Sequence, residues 1–198
     1  LEQRELEWDT ATQQMSDSAS VIRAMEEAGI VKVVSKTAYR NPVGGLDPGG
    51  EQKKLNEEQQ NVVSKITMEY DAGERKTYLI KGVTGSGKTE VYMELIAHVL
   101  AQGKQAIVLI PEIALTYQTV RRFYNRFGAQ VSIINSKLSA GERYDQFERA
   151  KNGEISVMIG PRSALFTPFP ALGIIIIDEE HEASYKSETV PRYHARET

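Results

Sequence analysis

The sequence contains no cysteine. That excludes a disulfide scaffold and any thiolate-held zinc or iron–sulfur centre within these residues. It also fits a reducing compartment. No apolar run approaches the roughly 18–20 residues needed to span a membrane as a helix. Nor is there an excess of basic residues: 24 Lys and Arg stand against 27 Asp and Glu, for a formal charge of −3. Binding of polyanions by bulk charge is therefore excluded, and any contact with nucleic acid must come from a local surface. Internal repeats and low-complexity tracts are absent. The chain starts at Leu1 with neither an initiator Met nor a signal peptide, and it stops at Thr198. Together these ends lead to the expectation of a piece of something longer.

What is present is ordinary globular composition, 40% hydrophobic and 26% charged over 198 residues. That length makes about one to one and a half domains. The clearest shift in composition is Asn41 to Gly50, NPVGGLDPGG, where eight of ten residues are Gly, Pro, Asn or Asp. It reads as a linker. Before it, Ser16, Asp17 and Ser18 offer helix caps, Val21, Ile22, Met25 and Ala28 share a helical face, and Gly29 supplies a stop. Ile30 to Val34 then reads as a β-branched strand. Half of a winged helix and a generic α–β hairpin explain this stretch equally well.

After the linker the pattern alternates. Helical spacing over Asn56 to Tyr70 is followed by an apolar strand, Thr77 to Lys81 (TYLIK). A helix over Thr89 to Ala101 precedes the strand Ala106 to Ile110. The helix Ala114 to Phe127 leads to the strand Val131 to Ile134, and the helix Gly141 to Lys151 to the strand Ile155 to Ile159. Gly173 to Ile177 (GIIII) is wholly apolar, as a strand covered on both faces would be. The alternation predicts a parallel, doubly wound α/β sheet, with ligands at the C-terminal ends of its strands.

Two motifs fall at such ends. Gly82, Val83, Thr84, Gly85, Ser86, Gly87, Lys88 and Thr89 match G-x-x-x-x-G-K-[ST] directly after one predicted strand and at the start of a helix. Glycines in such a loop let backbone N–H groups turn toward phosphate oxygens, and the helix N-terminus adds partial positive charge. Lys88 can reach the β- and γ-phosphates, and Thr89 can place its hydroxyl on Mg²⁺. The second motif, Asp178-Glu179-Glu180-His181, follows GIIII. An Asp there can hold Mg²⁺ of a bound nucleotide, and an adjacent Glu can polarise the attacking water. The pair marks an ATP hydrolase rather than a nucleotide kinase. Arg121 and Arg122, on a predicted helix, read as a solvated face.

The tetrad D-E-x-H and several further strings resemble superfamily 2 DNA helicases, and within them the bacterial replication-restart helicases. The likeness runs from Leu55 to Glu197. In LNEEQQ, Gln59 resembles the glutamine that reads adenine upstream of the P-loop. IPEIALTYQ, with Thr116, resembles the motif whose loop touches the DNA backbone. GPRSALFTPF, with Arg162, resembles a DNA-contacting string, and SYKSETVPRYHARE resembles the family's aromatic-rich loop after the acidic tetrad. In that last string Tyr185, Lys186, Arg192 and Tyr193 suit a stacking and cation–π platform for single-stranded bases, and His181 suits a coupler between it and the nucleotide. MEEAGIVKVV resembles the last helix and strand of the family's winged-helix domain. Asn135, Tyr117 and Pro161 depart from the family's usual residues.

The resemblance implies a RecA-like P-loop lobe with a parallel doubly wound sheet over residues 55–198, a linker over 41–54 and the end of a winged-helix DNA-binding domain over 1–40. It further implies 3′→5′ unwinding driven by ATP and Mg²⁺ in the cytoplasm. Forked and single-stranded DNA, other primosome proteins and single-strand-binding protein are the implied partners, with no membrane. Zinc is expected only in a Cys-rich part downstream of these residues, as is a second lobe. Two other readings stay open. One is a different superfamily 2 translocase, and the other a P-loop phosphotransferase or switch protein.

Overall fold

Side chains that accept from unpaired backbone N–H groups open most of the helices. A computed structural model describes residues 18–34, 40, 42–43, 54–83, 85–188, 190 and 192–197. The chain divides into two units, Leu1–Ala38 and Tyr39–Thr198.

In the first unit, α1 spans Ser18–Glu27. It stops where predicted: Gly29 takes φ 70°, and the N–H groups of Gly29 and Ile30 donate back to the Glu26 and Met25 carbonyls. Ser16 and Asp17, the other two expected caps, lie outside the described residues. The strand expected at Ile30 to Val34 does not form. Among the described residues no ladder takes up its backbone, and the Val33 N–H donates to the Glu26 carboxylate at 3.0 Å.

In the second unit, α2 (Glu57–Asp71) opens on a reciprocal box between Asn56 and Gln59. Next comes α3 (Lys88–Ala101), which begins at Gly87 with no side-chain cap. The strand β1 (Gln105–Leu109) leads through a 3₁₀ turn at Glu112–Ala114 to α4 (Tyr117–Phe127), capped by Thr116. Then follow β2 (Val131–Ile133), α5 (Ala140–Lys151, boxed by Ser139 and Glu142), β3 (Val157–Gly160) and β4 (Leu172–Ile177). All strand pairs are parallel, in the order β2-β3-β1-β4.

Alternation along β1 sorts its side chains to two cores. Ala106, Val108 and Ile110 pack with Val157 and Ile159 against Tyr92, Met93 and Ile96 of α3 and Phe123 of α4. Ile107 and Leu109 pack on the other face with Met158, with Ala150 of α5, and with Tyr185 and Ala195 from the chain after β4. Helices thus cover both faces, as the alternation predicts.

Two strand expectations need correction. TYLIK joins no ladder among the described residues, and Leu79 is exposed while Tyr78 and Ile80 pack on the α2–α3 cluster of Ile66, Val91 and Leu95. GIIII forms β4 but is not covered on both faces: among the described residues it pairs with β1 alone, and Ile175 is 44% exposed. Apolar periodicity reports which side chains seek a core, not whether a backbone partner lies alongside.

At the far edge of the sheet a polar cluster is fully paired. The Gln146 amide, wholly buried, accepts from the Ser132 hydroxyl (2.8 Å) and Arg149 (2.9 Å) and donates to the carbonyls of Arg40 (2.6 Å) and Glu142 (3.1 Å). Arg40 is held again by Asp145 at 2.6 Å, and Val43 is buried nearby in sequence. Two residues of the expected boundary region therefore belong to this unit. Gln146→Leu conserves volume but strips a partner from the buried Ser132 and Arg149, from the half-buried Glu142 and from the exposed Arg40. It should destabilise the protein by about 2–4 kcal/mol, measured as a lower midpoint in urea unfolding.

Candidate active site

The loop 82–89 turns tightly at Gly85 to Gly87. Ser86 N–H donates to the Val83 carbonyl at 3.1 Å, and Gly85 and Gly87 take φ of 81° and 83°, which only glycine adopts readily. A Cβ on Gly87 would strike the Gln59 amide nitrogen, and one on Gly82 would lie 2.6 Å from the Ser86 hydroxyl. Since Gly87 supplies no side-chain cap, the first N–H groups of α3 remain available at the loop. The Lys88 ammonium lies along the loop, donating to the carbonyls of Gly82 (2.8 Å) and Val83 (3.2 Å). Thr84 lies outside the described residues. Gln59 accepts from the Asn56 N–H at 2.9 Å and donates to the Ser86 carbonyl at 2.8 Å. It therefore ties the start of α2 to the loop.

Opposite stands the end of β4. Asp178 N–H donates to the Leu109 carbonyl at 2.9 Å, one step beyond the ladder. The Asp178 carboxylate is asymmetric: Oδ1 accepts from the Glu179 N–H (3.2 Å) and the Tyr92 hydroxyl (3.4 Å), while Oδ2 accepts from none of the described residues. Burial and the Glu179 charge push the Asp178 carboxyl above its ordinary value, against the pull of Lys88. Tyr92 is pushed up too, mainly by burial. Glu179 has φ 48°, the one described non-glycine residue in the left-handed region. Its carboxylate lies 3.7 Å from His181, whose ring is largely exposed.

These two ends share an open cavity of about 460 Å³. Of the residues singled out in the sequence, Gly85 to Thr89, Gln59, Asp178 and Glu179 line it while Gly82 and Val83 do not, and Lys54, Glu90 and Arg122 line it as well. The last three were not expected. Arg122 reads as solvated from its helix alone, but it pairs with Glu90 at 2.6 Å across to α3. Oxygen donors from Thr89 and Asp178 on one cavity suit a hard divalent cation such as Mg²⁺. Among the described residues no cluster of three His, Cys, Asp or Glu side chains could hold a metal alone, so water and the phosphate oxygens of a bound nucleotide would complete the coordination.

The chain after β4 folds beside this site. Tyr185, expected to offer its ring to a base, is only 1% exposed. Its hydroxyl reaches the carbonyls of Asp178 (2.6 Å) and Leu109 (2.9 Å), and burial raises its pKa. A base cannot stack on it. Arg162, expected on DNA, donates to the carbonyls of Ser184 (3.2 Å) and Lys186. The loop closes on itself through Ala195 N–H to Tyr185 O (3.0 Å) and Ser187 N–H to Tyr193 O (2.7 Å). Tyr193 is half-buried, edge-on to the exposed Phe166 at 5.1 Å, while Lys186 and Arg192 are exposed. Thr116 spends its hydroxyl on Thr119 at the start of α4. The structure thus gathers Arg162, Tyr185, Lys186 and Tyr193 into one loop region, with Thr116 on a separate element.

Comparison with known proteins agrees with this arrangement. Residues 52–196 match the family model described as "Type III restriction enzyme, res subunit". The chain is 47% identical over 181 residues to the replication restart protein PriA of Bacillus subtilis (strain 168), covering 91% of this chain and 22% of that protein. It is 42% identical over 183 residues to PriA of Chlamydia pneumoniae, covering 91% and 24%. PriA of Haemophilus influenzae is 39% identical over 186 residues, covering 91% and 25%. The chain therefore spans about a quarter of the length of the curated relatives it matches. With a P-loop and a D-E-x-H tetrad facing one cavity on a parallel sheet, and a family model matched over residues 52–196, the chain belongs to the family of the type III restriction enzyme res subunit, and its sequence is similar to the replication restart proteins PriA.

Proposed function

We propose that this chain is the ATP-binding and ATP-hydrolysing lobe of a 3′→5′ DNA helicase of replication restart. The observation that supports this best is the shared cavity of Lys88, Thr89, Asp178 and Glu179, joined to relatives named for replication restart. Backbone N–H groups of Gly85 and of Gly87 to Thr89 take the phosphates, helped by the start of α3. The Lys88 ammonium, a short rotation from its two carbonyls, neutralises β/γ-phosphate charge. Gln59 would meet the adenine, and the Thr89 hydroxyl and the Asp178 carboxylate would hold the Mg²⁺. Bound Mg²⁺ offsets charge on the terminal phosphates. Glu179, turned out of the strand direction by its positive φ, orients water and accepts its proton. DNA contacts the loop carrying Lys186, Arg192 and Tyr193, and Tyr185 relays loop position to Asp178. Forked DNA, primosome proteins, single-strand-binding protein and a cytoplasmic location go with this reading, as does a winged-helix role for the first unit. Among the described residues no helix is long and apolar enough to cross a membrane.

The direct test is ATP turnover by the intact protein with and without single-stranded DNA. Stimulation by DNA supports the helicase reading, and a requirement for a phosphate acceptor would replace it with a phosphotransferase. Lys88→Ala should abolish turnover while fork binding in a gel-shift assay stays close to wild type. Replacing Arg192 and Tyr193 together by Ala should lower DNA stimulation severalfold, because base stacking on an aromatic contributes about 1–3 kcal/mol. Nucleotide affinity should not change.

Asp178 also carries a thermodynamic cost. Its raised pKa means that folding disfavours the ionised form present at neutral pH. In Asp178→Asn the Oδ1 atom keeps both donors and the amide nitrogen takes the place of Oδ2. The variant should melt at a higher temperature than wild type at neutral pH and hydrolyse no ATP. Calorimetry and a turnover assay on the same preparation check both halves.

A further inference from the structure

Two ion pairs one helical turn apart join α3 to α4: Glu90 to Arg122 at 2.6 Å, and Glu94 to Arg126 at 2.9 Å. Both partners advance by four residues, so the helices run parallel with matching faces. The rungs differ in what surrounds them. Arg126 is packed away, its side chain 13% exposed. Arg122 keeps 47% of its side chain exposed, and the space it faces is the cavity that also holds Lys88, Thr89, Asp178 and Glu179.

Glu90 follows Thr89 directly and is itself only 16% exposed. Its carboxylate therefore fixes the Arg122 guanidinium against the cavity wall at the Thr89 end. A guanidinium has five N–H donors in a planar fork, and among the described residues Arg122 bonds to Glu90 alone. The remaining donors are available to an oxyanion. A plain structural rung has no reason to border the catalytic acids, whereas a planar cation there matches the geometry of a phosphate.

We propose that Arg122 is a further substrate-contacting residue, a cation supplied from within the lobe that recognises the terminal phosphate of a nucleoside triphosphate, with Glu90 holding it in place. This inference rests on the nucleotide reading above. On that reading the P-loop amides hold the phosphates common to di- and triphosphate, Lys88 bridges the last two, and Arg122 adds a second cation at the additional one. Discrimination between the two nucleotides is then its signature.

The experiment uses the intact protein and measures binding of a fluorescent non-hydrolysable ATP analogue and of fluorescent ADP by anisotropy with Mg²⁺ present. Arg122→Gln should weaken the triphosphate about tenfold, the scale of one charge-assisted contact, and leave ADP binding unchanged. Retained ADP binding also reports that the variant is folded. Arg126→Gln, which breaks the neighbouring rung, should keep the wild-type ratio of the two affinities. Equal losses for both nucleotides in Arg122→Gln, no loss for either, or the same change of ratio in Arg126→Gln would overturn the inference while leaving the nucleotide site intact. A wild-type protein that binds neither nucleotide would bring down the nucleotide reading itself.

Discussion

One carbonyl oxygen closes the functional end of the sheet. The Leu109 oxygen, at the C-terminus of β1, accepts the Asp178 N–H at 2.9 Å and the Tyr185 hydroxyl at 2.9 Å. The first bond extends the β1–β4 pairing by one residue and so holds the acidic tetrad at the mouth of the cavity. The second brings the following loop back under the strand ends. Since the Tyr185 hydroxyl has one proton and lies 2.6 Å from the Asp178 carbonyl as well, that proton is shared between two strand ends. Burial of the ring on Ile107, Leu109 and Met158 keeps the arrangement dry, which makes its hydrogen bonds stronger than in water.

The loop is consequently built from the core outward. Tyr185 and Ala195 are core residues, Arg162 ties the carbonyls of Ser184 and Lys186, and Arg196 reaches Glu180 at 2.9 Å. Lys186, Arg192 and the edge of Tyr193 are left to face solvent.

The doubly wound fold was legible because alternation of apolar runs and helical spacing is a property of local sequence, and β1 to β4 all lie where that alternation put them. The P-loop and the acidic tetrad were legible because their chemistry needs fixed residues at fixed spacing. The failures share a different cause. TYLIK and Ile30 to Val34 have strand-like side chains, but a ladder needs a second backbone that sequence pattern does not supply. Tyr185 looked like a stacking residue because aromatic content says nothing of which ring is inward, and the two carbonyls that hold it are 76 and 7 residues away. Arg122 looked solvated because its partner, Glu90, is 32 residues distant on another helix. Its four-residue spacing from Arg126, set against Glu90 and Glu94, was the one available signal.

The Asp178 carboxylate at the cavity is the site's weak point in stability. Asp178 lies partly buried beside Glu179, with Lys88 the cation that offsets them. Two acids one residue apart would normally be separated by strand alternation, which sends neighbours to opposite faces. Glu179 departs from the strand at φ 48°, and for a non-glycine residue that conformation costs on the order of 1 kcal/mol. The turn brings both acids to one cavity, so backbone strain and charge repulsion arise from a single local event. A phosphate-bound cation between them and the P-loop would relieve the repulsion without altering the backbone. On the proposed reading, a nucleotide and its cation would complete this charge arrangement and strengthen the strand ends that the Leu109 carbonyl already joins.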